Sequence, residues 1–125
     1  MFNIDLYSDI PIYQQIVDGY KVLVINNFLN DGDKIPAIRE LAAQLEVNPS
    51  TVAKAYAQLE REGLIKTSRG RGTYISTDNF DKNNVLKDIK AQLTLPIKNA
   101  KDLRVSVNEL IEIIKTIYKE LDNEV

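Results

Sequence analysis

Residues 32–76 read GDKIPAIRELAAQLEVNPSTVAKAYAQLEREGLIKTSRGRGTYIS, and this stretch decides the fold of the chain. Apolar residues recur in it at helical spacing in two sets, first Ile38, Leu41, Ala42 and Leu45, and then Val52, Ala55, Tyr56 and Leu59. A short interruption at residues 47–49 separates the two sets. The pattern therefore predicts two short helices joined by a tight turn, which is a helix-turn-helix.

A pattern of period two follows the second helix. Residues 65–68 and 73–76 flank the tract RGRG at 69–72. Because glycine adopts positive φ without a steric penalty, this tract is typical of the tip of a β-hairpin. A helix-turn-helix followed by a hairpin is a winged helix, so we predict a mainly α fold with this domain at residues 1–77.

The segment before this stretch predicts a supporting helix. We expect residues 1–10 to be extended and Pro11 to lie in the first turn of a helix, where its missing N–H costs nothing. Apolar residues then follow one helical face: Ile12, Ile16, Tyr20, Leu23, Val24 and Phe28. This helix is predicted to run to about Phe28 and to end before the turn tract at 30–33.

Residues 78–125 predict a second domain, a short appendage of two helices. In the first helix apolar residues recur every four positions, and Pro96 is expected to kink or split it. Ser106 and Glu109 fit a capping box that starts the second helix, whose apolar face is too broad for one small neighbour to cover. We therefore predict a homodimer whose interface includes Ile89, Leu93, Leu110, Ile111, Ile114, Ile117 and Tyr118.

Composition excludes several function classes. The 125 residues contain no cysteine and no histidine, which removes zinc sites with these ligands, thiolate nucleophiles and histidine bases. The carboxylates form no motif for a metal site, and the RGRG tract is neither a P-loop nor a dinucleotide fingerprint. We expect no enzyme activity, no catalytic or metal-binding residues and no cofactor. With no signal peptide or membrane span in the sequence, we expect a cytoplasmic protein.

The net charge of −2 is unusual for a protein that binds nucleic acid. The middle of the chain, residues 31–77, is its only positive segment, with basic residues Lys34, Arg39, Lys54, Arg61, Lys66, Arg69 and Arg71. Binding to phosphates would therefore depend on where these side chains point and not on bulk charge.

The central stretch resembles the DNA-binding domain of the GntR family of bacterial transcription regulators. The likeness extends in register over GDKIP at 32–36, RELA at 39–42, VN at 47–48, TV at 51–52, AY at 55–56, LE at 59–60, EGLI at 62–65, and G at 70 with GTYI at 72–75. The resemblance implies a winged helix that binds operator DNA, with Arg39 as a DNA contact. From the residues alone, Arg39 could equally be a solvated charge paired with Glu40 or Glu46.

The second helix of the motif supplies further candidate contacts. Asn48 is a suitable N-cap before Pro49, and Ser50, Thr51 and Lys54 follow on the side opposite to the apolar residues or on its flank. Small hydroxyls and a lysine at the start of a helix can enter a major groove and meet phosphates and base edges. In the wing, Arg69, Gly70 and Arg71 form a basic tip that fits a minor groove, although a solvated hairpin would have the same composition.

Departures from the common family pattern point to a subgroup. Many relatives have serine in place of Ala37 and arginine in place of Pro49 or Ala53, so a cap and two guanine-reading candidates are missing. The sequence VNPSTV at 47–52 and the short appendage are similar to the YtrA-type regulators, in which two helices pair the subunits.

The resemblance implies a repressor that binds an inverted-repeat operator as a homodimer, with its own operon and an ABC transporter as targets. The residues also allow another interpretation, a winged-helix module that binds a protein partner through its acidic N- and C-terminal segments. Operator sequence, target genes and any small-molecule effector stay open.

Overall fold

The computed structural model describes residues 3–123, in which five helices and one hairpin follow each other along the chain. The elements are α1 (Ile12–Ile25), α2 (Ile38–Leu45), α3 (Pro49–Arg61), β1 (Ile65–Ser68), β2 (Gly72–Ile75), α4 (Lys82–Asp102) and α5 (Val107–Asp122). The chain separates into two compact units, and the boundary lies between Phe80 and Asp81. The mainly α winged helix-turn-helix with a two-helix appendage, predicted from the sequence, is confirmed.

The core of the first unit lies between the apolar faces of α1, α2, α3 and the hairpin. Its largest fully buried side chains are Tyr20, Ile16, Leu41, Leu59, Leu64, Ile65, Ile75, Val17 and Val52. α3 packs against both α1 and α2, as well as against β1. Because α3 is buried along one side by three elements, its opposite side is held facing outward in a fixed direction.

Two local features of the backbone and its hydrogen bonds form the turn between α2 and α3. Glu46 ends α2 in the left-handed conformation, at φ 57°, and the N–H of Val47 donates to the carbonyl of Ala42 over 3.0 Å. Asn48 then caps α3 by accepting a 2.9 Å hydrogen bond from the N–H of Ser50, with Pro49 in the first helical position. Both predictions for the start of α3, the cap and the proline, are confirmed.

The wing is an antiparallel pair in which Ile65 lies opposite Ile75 and Ser68 opposite Gly72. Gly70 and Gly72 have φ of 85° and 77°, which is why glycines are needed at this tip. β2 begins one residue earlier than predicted, and Ser76 lies outside it, with its N–H donating to the carbonyl of Leu64.

An extended segment before α2 adds a third partial strand to the wing. The N–H of Ile35 donates to the carbonyl of Thr73 over 2.9 Å, and the N–H of Ile75 donates to the carbonyl of Asp33 over 2.8 Å. These bonds satisfy the outer edge of β2 and attach the hairpin to the segment that leads into α2. The direction of the wing is therefore linked to the start of α2.

The prediction of an extended N-terminal segment is wrong. Residues 6–10 form turns and not an extended segment, because the Tyr7 N–H donates to Asp5 Oδ1 and the Ile10 N–H donates to Ser8 Oγ. The prediction for Met1 and Phe2 lies outside the described residues.

The prediction that the first helix runs to about Phe28 is also wrong. α1 ends at Ile25, and Asn27 then adopts a left-handed conformation with φ 61°. This reversal leaves Phe28 74% exposed, while Leu29 packs against the core.

In the second unit, α4 continues without a break through Pro96, so of the two outcomes expected there, a kink or a split, the split does not occur. Proline removes one backbone donor, and the turns on either side keep the helix continuous. The capping box of α5 is confirmed, since the Glu109 N–H donates to Ser106 Oγ and the Ser106 N–H donates to Glu109 Oε1. The hydrogen bond that the charged carboxylate of Glu109 accepts from the Ser106 N–H, together with the Ser106 side chain, lowers the pKa of Glu109 below its usual range.

Candidate nucleic-acid interface

The exposed side of α3 begins at its N-terminus. Ser50 and Lys54 are exposed and Thr51 is half-buried, whereas the opposite side of the helix is buried against α1 and α2. The structure thus brings these three predicted contacts together on the first turns of one helix. Hydroxyl groups and an ammonium group in this arrangement can donate hydrogen bonds to phosphates and base edges.

Asn48 has a structural role in this arrangement. Its Oδ1 accepts hydrogen bonds from both the N–H and the hydroxyl of Ser50, each over 2.9 Å. The cap therefore fixes the start of α3 and also orients the Ser50 side chain. In contacting a phosphate, the Ser50 hydroxyl would exchange its bond to Asn48 for one to DNA. The DNA contacts of Asn48 and Ser50 remain predictions.

Arg39 is exposed on the first turn of α2. Among residues 3–123, the ion pairs are Lys21–Glu62, Lys66–Asp78, Lys98–Asp102 and Lys115–Glu112. Pairing of Arg39 with Glu40 or Glu46 is therefore absent from the described structure, and the guanidinium is available to an external acceptor. Ala37 occupies the N-cap of α2 without a side-chain hydrogen bond, as the substitution of the common serine predicted.

A buried hydrogen-bond chain holds the backbone just before α2. The hydroxyl of Tyr56, on α3, donates to the carbonyl of Pro36 over 2.7 Å. The hydroxyl of Tyr20, on α1, lies 2.8 Å from that of Tyr56, and their rings pack edge to face. Because the single hydroxyl proton of Tyr56 goes to the Pro36 carbonyl, Tyr20 is the donor to Tyr56. The chain of bonds ties together α1, α3 and the segment that places Arg39.

Burial controls the acidity of both tyrosines. It raises the pKa of Tyr56 to about 12, although the hydrogen bond that Tyr56 accepts from Tyr20 lowers it. Burial likewise raises the pKa of Tyr20 above its usual range, and the bond that Tyr20 donates raises it further. Both groups are therefore neutral at physiological pH and act as fixed hydrogen-bonding groups of the core.

The tip of the wing presents Arg69, Gly70 and Arg71, all of them exposed. The guanidinium carbon of Arg71 lies 4.3 Å from the centroid of the Tyr74 ring, a cation–π distance. Tyr74 is half-buried on β2, so its ring supports one of the two arginines of the tip. This tip is the basic group predicted from the RGRG tract, and its place in a minor groove remains a prediction.

The structure adds a lysine to the wing that sequence reasoning could not place. Residue 34 pairs with Tyr74 in a bridge, and a Cβ on Gly72 would lie 3.2 Å from Lys34 Cε. The Lys34 side chain therefore extends from the level of Tyr74 towards the tip of the hairpin at Gly72. Nothing in its local sequence indicates this position, because the contact joins segments almost forty residues apart.

Tyr13, on the first turn of α1, is a second residue that sequence reasoning missed. Its ring lies beneath the ammonium of Lys54, with Nζ 4.0 Å from the ring centroid. A cleft of about 340 Å³ lies between Pro11, Ile12 and Tyr13 on one side and Ser50, Thr51 and Lys54 on the other. The only signal in the sequence was the place of Tyr13 one position away from the apolar stripe of α1.

The residues predicted for a dimer interface lie on α4 and α5. Ile89 and Leu93 are exposed on α4, where Leu86 and Ile97 extend the same apolar surface along a groove of about 550 Å³. On α5 the exposed members are Ile111, Ile114, Ile117 and Tyr118, whereas Leu110 is half-buried. Within the described part of the chain α4 and α5 do not pack on one another, and neither contains a buried residue.

Residues 3–123 contain neither a membrane-spanning helix nor a cluster of metal ligands. No helix there is long and apolar enough to cross a membrane. No group of three or more potential ligands comes together in this range to hold a metal ion.

Comparisons with known proteins agree with the arrangement of α2, α3 and the wing. The sequence model of the family described as bacterial regulatory proteins, gntR family, matches residues 12–75. The HTH-type transcriptional repressor YtrA of Bacillus subtilis (strain 168) is 45% identical over 125 residues, which cover 97% of this chain and 95% of that protein.

Among solved structures, a transcriptional antiterminator from Listeria monocytogenes EGD-e has a TM-score of 0.75 at 36% identity, covering 99% of this chain and 94% of that one. YtrA from Sulfolobus acidocaldarius, a GntR-family transcription factor, has a TM-score of 0.58 at 35% identity, covering 97% and 99%. The chain therefore belongs to the gntR family of bacterial regulatory proteins; the relatives named here are regulators of transcription and not enzymes, and YtrA-type regulators are among them.

Proposed function

We propose that this protein is a transcriptional repressor that binds an inverted-repeat operator as a homodimer. The observation that carries the proposal is the joint placement of Ser50, Thr51 and Lys54 on the exposed start of α3, in the same unit as a basic wing tip. A helix with this exposure enters the major groove in proteins that use a helix-turn-helix. The tip, with Arg69 and Arg71 beside glycines, then reaches the adjacent minor groove.

Pairing of two copies follows from the unburied apolar surfaces of the appendage. Each of eight large apolar side chains on α5 or at its start is exposed or half-buried, and α4 offers no cover for them. Apolar surface on this scale rarely stays in contact with water in a stable protein. A second copy of the chain supplies a matching surface, because a two-fold interface pairs the same residues from both subunits.

Dimerisation and DNA binding support one another in this proposal. Two winged helices held together engage two half-sites at once, so the second contact is made at a high effective concentration. Binding of this kind would repress transcription by blocking access of RNA polymerase to the promoter. From the likeness to YtrA proteins we further propose that the protein acts in the cytoplasm on its own operon, which includes an ABC transporter.

Selection of duplexes from a random library, at near-physiological salt, tests the DNA-binding proposal. We expect enrichment of an inverted repeat with half-sites about one helical turn apart. Affinity for the selected duplex should fall steeply as salt rises, since each phosphate contact releases counterions. A folded, dimeric protein that enriches no sequence would contradict the proposal and favour the protein-binding module instead.

Sedimentation of an Ile114→Asp variant tests the interface. A charge placed in an apolar contact is costly to bury, so this variant should sediment as a monomer. Thr116→Asp adds the same charge elsewhere on α5, where the Thr116 hydroxyl donates only to the carbonyl of Glu112. The control should remain dimeric. If Ile114→Asp forms a dimer with the dissociation constant of the wild type, the face of α5 that carries Ile114 is not part of the interface.

A further inference from the structure

The ammonium group of Lys54 is held by a residue outside its own helix. Its Nζ lies 4.0 Å from the centre of the Tyr13 ring, within the range of a cation–π contact. Tyr13 is half-buried and packs against the hydrophobic core, so its ring offers a fixed surface. A lysine on a helix surface otherwise samples many rotamers, and ordering it on binding is entropically costly. The contact with Tyr13 orders the side chain before any ligand arrives.

The cleft around this contact has the chemistry of a phosphate site. Its walls are the first turn of α1, with Pro11 and Tyr13, and the first turns of α3, with Ser50, Thr51 and Lys54. Its lining residues carry three hydroxyls, those of Tyr13, Ser50 and Thr51, and one ammonium group but no carboxylate. An aromatic ring attracts a cation without neutralising it, whereas a carboxylate would cancel the charge. Lys54 thus keeps both its position and its full charge for an anion.

We propose that Tyr13 is a positioning residue for DNA binding, and that a backbone phosphate beside the bound major groove lies in the cleft between the starts of α1 and α3. This inference rests on the proposed function. It extends the interface from α2, α3 and the wing to α1, which sequence reasoning assigned only to the core. The phosphate would accept a hydrogen bond from the Lys54 ammonium, whose three N–H donors cannot all face the ring.

The effect of the ring can be measured with the duplex recovered by selection. Removing the ring in Tyr13→Leu should weaken binding about 2- to 5-fold, the range expected for an exposed cation–π contact. Lys54→Gln should weaken binding more and lower the salt slope by about one unit, because one phosphate contact is lost. Tyr13→Phe keeps the ring and should restore most of the affinity. Tyr7→Leu, which alters a tyrosine that is 96% exposed, serves as a control and should bind like the wild type.

A double-mutant cycle separates positioning from a structural role. If Tyr13 acts through Lys54, the variant with both Tyr13→Leu and Lys54→Gln should bind no more weakly than Lys54→Gln alone. A merely structural effect would instead multiply with the effect of Lys54→Gln. Such multiplication, or wild-type affinity of Tyr13→Leu, would overturn the inference while leaving the proposed function intact.

A spectroscopic measurement on the free, full-length protein tests the geometry without DNA. Because Lys54 Nζ lies over the Tyr13 ring, the protons on the adjacent Cε should show an upfield shift in NMR spectra. The shift should persist in Tyr13→Phe and disappear in Tyr13→Leu. Absence of the shift in the wild type would overturn the inference even if Tyr13→Leu fails to fold. A wild type that shows the shift but binds no selected duplex would overturn the inference and the proposed function together.

Discussion

Substitution of Tyr56 by phenylalanine tests the buried hydrogen-bond chain that connects α1, α3 and the segment before α2. The change removes one hydroxyl and keeps the ring, so the edge-to-face contact with Tyr20 should persist. It deletes the 2.7 Å bond to the Pro36 carbonyl and the 2.8 Å bond from Tyr20. Tyr56 is only 4% exposed, so water cannot readily replace these partners.

The expected cost follows from the number of bonds lost. Each hydrogen bond contributes about 1 kcal/mol net, and a buried partner left unsatisfied adds to this, so we expect a loss of about 2–3 kcal/mol in the free energy of unfolding. For a domain of this size that corresponds to a fall in Tm of roughly 10–20 °C. Urea denaturation followed by circular dichroism measures the change. Tyr7→Phe removes a hydroxyl that already lies in water and should change stability by less than about 0.5 kcal/mol.

The pH dependence supplies a second readout with a defined sign. In the unfolded chain Tyr56 loses its proton near pH 10, whereas burial keeps it protonated to about pH 12 in the folded protein. The folded state therefore binds more protons than the unfolded state between these values, so stability is full below pH 10 and falls as pH rises towards 12. In Tyr56→Phe the alkaline decline should be shallower. Equal stabilities for Tyr56→Phe and Tyr7→Phe would refute the hydrogen-bond chain, and an unchanged alkaline decline would refute the raised pKa of the buried Tyr56.

Three other predictions concern the helix-turn-helix and the division of the chain. Ala37→Ser should add the missing cap of α2 and raise the free energy of unfolding by about 1 kcal/mol. The control Ala57→Ser, on the exposed side of α3, should not raise it. Thermal melts that show equal stabilities for the two variants would contradict the capping assignment. Arg39→Ala should weaken operator binding by about 1–3 kcal/mol in anisotropy titrations. Lys119→Ala, which removes the same charge from α5, is the control. Unchanged affinity of Arg39→Ala would remove Arg39 from the interface. A chain that ends after Phe80 should remain folded as a monomer, because Phe80 packs against the core of the first unit. Its operator affinity should be much weaker than that of the full chain, since bivalent binding is lost. Equal affinities would contradict bivalent binding.

Much of the fold was predictable because its signals are local. The two sets of apolar residues in 32–76 fixed the helix-turn-helix, and Asn48 with Pro49 fixed the start of α3. The capping box at Ser106 was equally readable, since both of its partners lie within one turn. The error at Phe28 and the choice left open at Pro96 share a cause. A reversal at Asn27 and the continuity of α4 depend on backbone conformations that no periodicity specifies.

The residue types of the candidate site were predictable from the sequence, but the contacts that hold these residues in place were not. The sequence determined that Arg39, Lys54 and the RGRG tip supply positive charge on a winged helix, because spacing assigns each of them to an element. Only the tertiary structure decided that Tyr13 lies beneath Lys54, that Lys34 runs beside Gly72, and that Tyr20 and Tyr56 hold the segment before α2. These contacts, with the bond from Tyr56 to the Pro36 carbonyl, join residues about 20 to 40 positions apart. Their formation depends on how the helices and the hairpin pack together, and packing is a property of the whole core that no local pattern contains.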